Sequence, residues 1–184
     1  MSQKNKIGVF VVALVVLSVA VAATAFTSGS VDRQANVNVV SDDTGLIGLT
    51  DGTSGGLVFQ NASGALEIDF TKNGAGGANT EAHFELGNPN NPTNQTAFNV
   101  TNNAATAKDM TFDFSGSDSQ DADANIEFQI YDSSGTQVAT LSEESGSVTV
   151  TGVASGETLY VVMVIDTHGL DSTADLSGTL TISV

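Results

Sequence analysis

Cysteine is absent from this 184-residue chain, which excludes a disulfide framework, thiolate nucleophiles and zinc–thiolate sites. Basic residues are nearly absent too: five Lys and Arg stand against 21 Asp and Glu, a formal charge of −16. Such a surface has no basic footprint for nucleic acid or anionic headgroups, so neither is expected as a partner. There are only two histidines, His83 and His168, and neither lies in the His-Glu-x-x-His spacing of a zinc protease helix. His83 alternates with Glu81 and Glu85 on a solvent-facing side, and His168 precedes Gly169 in a turn. The chain also lacks a phosphate-binding glycine loop, its glycines being scattered turn formers. With no catalytic constellation, the protein is read as a non-enzyme.

The first 25 residues differ in kind from the rest. Lys4 and Lys6 make a short basic region, and no charge follows from Ile7 to Ala25. That run ends in Ala23-Thr24-Ala25, the small-x-small pattern cut by signal peptidase, which would free Phe26 as the N-terminus. The alternative is an uncleaved anchor, since nineteen apolar residues rise about 28 Å as a helix. In both readings the lysines stay inside and the bulk is exported to the cell surface. Contact with the membrane is then confined to this segment before cleavage.

Without Lys4 and Lys6, three basic residues face all 21 acidic ones, a charge of −18. The carboxylates alternate with Phe, Ile, Leu and Val, so the composition is that of a folded chain and not a disordered one. High acidity with so few lysines resembles a halophile surface, where molar salt shortens the Debye length to roughly 3 Å.

Helix signals are scarce after the signal segment, and period-2 alternation replaces them. The clearest runs are Leu66–Phe70, Met110–Phe114 and Ile126–Ile130, each apolar on one face and acidic or hydroxylated on the other. Further strands are expected over Ala35–Val40, Leu46–Leu49, Leu57–Gln60, His83–Leu86, Ala97–Thr101, Val138–Leu141, Ser147–Val150, Leu159–Ile165 and Leu180–Val184. Leu159–Ile165 is apolar on both faces, which predicts a central strand or one covered on its second side. Turns are marked at Asp51-Gly52, Asn73-Gly74, Ser134-Gly135 and Ser155-Gly156. The stretch from Gly87 to Thr96 holds both prolines and reads as an exposed loop. Many short strands with frequent turns predict an all-β, jelly-roll-like antiparallel sandwich over residues 41–184, preceded by the signal helix at 1–25 and an N-terminal strand at 26–40.

Asp118, Asp121 and Asp123 crowd one loop between two strong strands and are candidate ligands for a weak calcium site, although the EF-hand glycine and final glutamate are missing. No other cofactor is implied. Asn61, Asn94 and Asn99 stand in Asn-x-Ser/Thr triplets and are candidate glycosylation sites in an exported protein.

From Phe26 to Val40 a strand-forming stretch lies just beyond the expected cleavage point, with Val31, Ala35, Val37 and Val39 on one parity. It is either an ordinary edge strand of its own domain or a donor strand that pairs into the next subunit. Donation from head to tail would build an open filament from copies of this chain alone.

The segments Ala25-Phe26-Thr27, Ser30–Asp42, Leu46-Ile47-Gly48-Leu49 and Phe98-Asn99-Val100-Thr101-Asn102 resemble archaeal surface proteins related to the TasA/camelysin group. That resemblance implies a jelly roll and a role as a subunit of biofilm fibres or bundling pili. It also implies assembly by donor-strand complementation, with the donor at Phe26 to about Val40. The protease activity attributed to camelysin is not carried over, because no zinc-binding motif is present. The leading expectation is therefore a secreted filament subunit serving adhesion and biofilm cohesion. A non-polymerising surface domain, anchored in the membrane or associated with the cell wall, is the alternative.

Overall fold

A computed structural model of the chain describes residues 39–53, 56–72, 76–116 and 124–184. The signal segment with Ala23 and Ala25, the donor positions Phe26, Val31, Ala35 and Val37, the turn Asn73-Gly74 and the loop carboxylates Asp118, Asp121 and Asp123 lie outside the described residues. From Val39 onward the protein forms one compact unit.

Among the described residues the unit is all-β apart from short 3₁₀ turns such as Asp42–Thr44, and the strand pairings are antiparallel. The strands are β1 (Ile47–Asp51), β2 (Val58–Gln60), β3 (Leu66–Ile68), β4 (His83–Leu86), β5 (Phe98–Asn102), β6 (Lys108–Gly116), β7 (Ile126–Tyr131), β8 (Gln137–Ser142), β9 (Ser147–Val153), β10 (Thr158–Asp166) and β11 (Gly178–Ser183). Each falls on a stretch expected as a strand, the clearest by alternating apolar residues and β10 by its continuous apolar run. The Leu66–Phe70 run is cut short at Ile68, because Asp69 turns the chain by accepting the Thr71 N–H at 2.7 Å.

One sheet runs β1-β5-β10-β7-β8, with β4 also paired to β10, and a second runs β11-β6-β9. The short β2–β3 hairpin pairs only with itself. Phe98 and Val100 on β5, Phe128 and Ile130 on β7, and Val161 on β10 face Met110 and Phe112 of β6 in one core. Phe98, Phe112 and Phe128 are fully buried, each contributing roughly 1.5–3 kcal/mol by leaving water. Phe128 makes edge contact with Phe98 and a tilted contact with Phe114, at centroid separations of 6.4 and 5.5 Å.

β4 and β5 lie end to end along the same edge of β10: β5 pairs with Thr158–Val161 and β4 with Met163–Asp166. The residues between them leave the sheet at the Gly87–Thr96 bridge and return, opposite Val162. Asn88 ties this excursion together, its N–H reaching the Gln95 carbonyl at 2.9 Å and its amide the Gln95 side chain at 2.8 Å. The excursion is exposed at Asn90, Asn91, Asn94 and Gln95, as expected of a loop, but part of it packs onto the sheet's outer face. Pro92 and Val162 are both buried, and Gly87 passes close against Val162. Leu159–Ile165 is thus both central and covered on its second side. Its apolar residues on both faces reflect two packing partners.

Candidate functional site: an open apolar groove

Among the described residues the two sheets close along one side only. β8 and β9 are consecutive edge strands of opposite sheets, joined by the tight turn Glu143–Gly146, so the core is sealed there. On the other side the edges are β1 and β11, and between them lies an open groove of about 870 Å³. Phe98, Phe114, Phe128, Met163 and Ile165 reach it from the core. Ile68 and Phe70 from the β2–β3 segment and Leu180 and Ile182 from β11 line its sides. These last four are only half-buried, because one side of each has no packing partner among the described residues.

The two edges beside the groove differ. The β1 edge is occupied at its centre, where the Gln60 side-chain amide donates to the Leu49 carbonyl at 3.0 Å. β11 pairs with β6 alone among the described residues, with Leu180 opposite Phe114 and Ile182 opposite Phe112. Its sequence Gly178-Thr179-Leu180-Thr181-Ile182-Ser183 contains no charge and no proline, so it has none of the usual safeguards of an exposed strand edge.

The rim is acidic. Asp42, Glu67, Asp69, Asp171 and Asp175 all line the groove. Asp42 is engaged locally, its carboxylate accepting the Leu66 N–H at 2.8 Å, and Glu67 accepts the Asn61 amide at 3.4 Å. Asp171 takes the Thr173 N–H and hydroxyl on its Oδ1 alone, bonds that hold its carboxyl below the usual range.

Of the expected donor positions, only Val39 falls among the described residues. It is 97 % exposed, lies outside any strand and does not enter this chain's own groove.

The sequence placed His83 and His168 apart, but the fold brings both to one carboxylate. His168 Nδ1 lies 2.5 Å from Asp166 Oδ1, and His83 Nδ1 lies 3.6 Å from Asp166 Oδ2. Backbone and side-chain bonds from His168 hold Asp166 below the usual carboxylate range, and the same carboxylate raises His168. Nearby, the buried Thr167 hydroxyl donates to the Asn79 carbonyl at 2.7 Å and accepts the Ala82 N–H at 2.8 Å, pinning the segment before β4. Among the described residues no group of three or more His, Asp and Glu is arranged to hold a metal ion. Nor is any helix there long and apolar enough to cross a membrane.

The three candidate glycosylation residues sit in different settings. Asn94 is exposed on the Gly87–Thr96 excursion. Asn61 forms the β2–β3 turn, its side-chain oxygen accepting bonds from Ser63 and Ala65. Asn99 is half-buried in the sheet, its amide 3.4 Å from the Thr50 hydroxyl and its buried side-chain oxygen without a partner.

The groove itself was not legible in the sequence. Its wall residues announced themselves only as ordinary strand positions, and nothing local marks which strand ends up unpaired. No family model matches this chain, and no curated protein matches it.

Proposed function

We propose that this protein is an exported structural subunit, a jelly-roll-like β-sandwich that polymerises into extracellular filaments for adhesion and biofilm cohesion. Each groove would take the N-terminal segment of another copy as an added strand. The observation that carries this reading is the groove itself, an opening into the core beside an uncharged strand edge that is unpaired among the described residues. Strand addition supplies main-chain hydrogen bonds along such an edge and fills pockets with alternate side chains.

The dimensions agree. β11 has six residues and extends about 20 Å, while Ala35 to Val39 extends about 17 Å and presents three apolar side chains on one face. Exposure of Val39 favours donation to another copy over insertion into the same chain. Head-to-tail donation is a heterologous contact, which produces an open filament unless its rotation happens to close. No catalytic or cofactor role is needed for this function.

The test is N-terminal sequencing of the protein recovered from cell-surface material, with electron microscopy of the same fraction. The expected result is a start near Phe26 in protein that forms filaments, and a Phe26–Val40 deletion that folds but makes none. Monomers alone in high salt, with the native N-terminus present, would overturn the proposal. An intact Ile7–Ala25 segment without filaments would instead identify a membrane-anchored surface domain.

A further inference from the structure

We propose that Asn94 carries an N-linked oligosaccharide in the exported protein, and that of the three Asn-x-Ser/Thr triplets it is the one the fold leaves open to carbohydrate. This inference rests on the export part of the reading above and not on strand donation.

Asn94-Gln95-Thr96 lies on the Gly87–Thr96 excursion, and the sequence carries no charge from Gly87 to Ala107. An anionic sugar donor therefore meets no carboxylate in the surrounding chain, although the protein as a whole carries −16. Asn94 is exposed, and its amide nitrogen donates to Asn91 Oδ1 at 2.8 Å and approaches the Thr93 hydroxyl at 3.4 Å. An N-linkage uses one of the two amide hydrogens, so the other can keep the bond to Asn91 and the turn survives the modification. Among the described residues the excursion contributes none to the groove wall, so carbohydrate here leaves the groove open.

The other two triplets are closed by the fold. Asn99 stands within β5 between Thr50 of β1 and Tyr160 of β10. It is half-buried, its side-chain oxygen is shielded from solvent, and its amide lies 3.4 Å from the Thr50 hydroxyl. A bulky sugar on that nitrogen would be wedged against the neighbouring strand. Asn61 is half-buried in the β2–β3 turn, with its oxygen accepting the Ser63 hydroxyl at 2.6 Å and the Ala65 N–H at 3.1 Å and its amide facing the Glu67 carboxylate.

Thr96 supplies the hydroxyl of the Asn94 triplet, yet it is 3 % exposed, lies against Gly52, and its carbonyl accepts the Thr53 N–H at 3.0 Å. Transfer therefore precedes closure of Gly52-Thr53 over the triplet. In that step Asn94 Nδ2 attacks the anomeric carbon of a lipid-phosphate-linked oligosaccharide. An N–C bond forms and the C–O bond to phosphate breaks. The lipid phosphate leaves with the electron pair, and one Nδ2 hydrogen is lost as a proton.

The experiment is glycopeptide mass spectrometry of the full exported chain recovered from the surface of the cells that make it, with the urea unfolding midpoint as a folding control. Most copies should carry an oligosaccharide at Asn94, with none at Asn61 or Asn99. Asn94→Gln should remove that mass completely and leave the midpoint of the unmodified chain unchanged, since the side chain is exposed. An unmodified Asn94 in surface-recovered protein, carbohydrate on Asn61 or Asn99 of folded copies, or a mass unaffected by Asn94→Gln would overturn the inference and leave export standing. A chain found only inside the cell would overturn both.

Discussion

Asn102 is fully buried at the end of β5, and replacing it by alanine should destabilise the domain by about 3–5 kcal/mol. Its side-chain amide donates to the carbonyls of Val153 at 2.8 Å and Thr106 at 3.0 Å, and its oxygen accepts the Ala104 N–H at 3.0 Å. These bonds join the β5–β6 connection to the end of β9 and so link the two sheets. Alanine would strand the Val153 carbonyl in a buried position and leave the half-buried Ala104 N–H without its acceptor. Each such group costs about 1–3 kcal/mol. Thr106 is exposed, so water can replace its lost partner at little cost.

A loss of that size is a large share of the roughly 5–15 kcal/mol that holds a domain together, and it should lower Tm by roughly 10 °C or more. Urea unfolding at fixed high salt measures it as a shifted midpoint with unchanged slope. Asn102→Asp supplies a pH test. A carboxylate aimed at two carbonyl oxygens is disfavoured in the folded state, which keeps that group protonated and raises its pKa above the unfolded value. The variant is then at its most stable, relative to wild type, below the unfolded pKa of about 3.9, and loses stability as pH rises through the folded pKa. A loss below about 1 kcal/mol for Asn102→Ala, or an Asn102→Asp variant whose stability relative to wild type does not change with pH, would refute the reasoning.

The glycine at the start of the β4–β5 excursion should be irreplaceable for a steric reason beyond its backbone angle. Gly87 has φ +100°, and a Cβ there would lie 2.9 Å from the Gln95 carbonyl oxygen and 3.1 Å from both Ala97 N and Val162 Cγ2. Gly156, at φ +79°, has open space around the same position. Urea titration of the two alanine variants should show a loss of about 1 kcal/mol at Gly156 and roughly 1–2 kcal/mol more at Gly87, and equal losses would refute the packing argument. In NMR titrations His168 should show a midpoint above the ordinary value of about 6.5, and Asp166→Asn should bring it back toward that value. Because the folded-state pKa is the raised one, the interaction favours the folded state below the unfolded pKa and is lost as pH rises through the folded pKa. An unchanged midpoint in Asp166→Asn would show that Asp166 does not act on His168.

Strand identity was a local property and the sequence alone determined it. Residues such as Met110-Thr111-Phe112-Asp113-Phe114 alternate because one face meets a core and the other meets water, and that pattern survives without knowledge of the partner strand. The same reading made the fold all-β and anticipated the doubly covered β10 from its unbroken apolar run. It read Gly87–Thr96 as an exposed loop, which holds at Asn90, Asn91, Asn94 and Gln95, but it did not reveal the buried Pro92, because proline and asparagine signal a turn without saying whether that turn lies against a sheet.

Pairing order was decided only in three dimensions. Leu180 and Ile182 look like any half-buried strand residues until, among the described residues, β11 is found to have a single partner and the hairpin β2–β3 to join neither sheet. An edge, a groove and a carboxylate shared by His83 and His168 are all relations between residues far apart in the chain. Local periodicity carries no record of them, since it registers whether a side chain is covered and not what covers it.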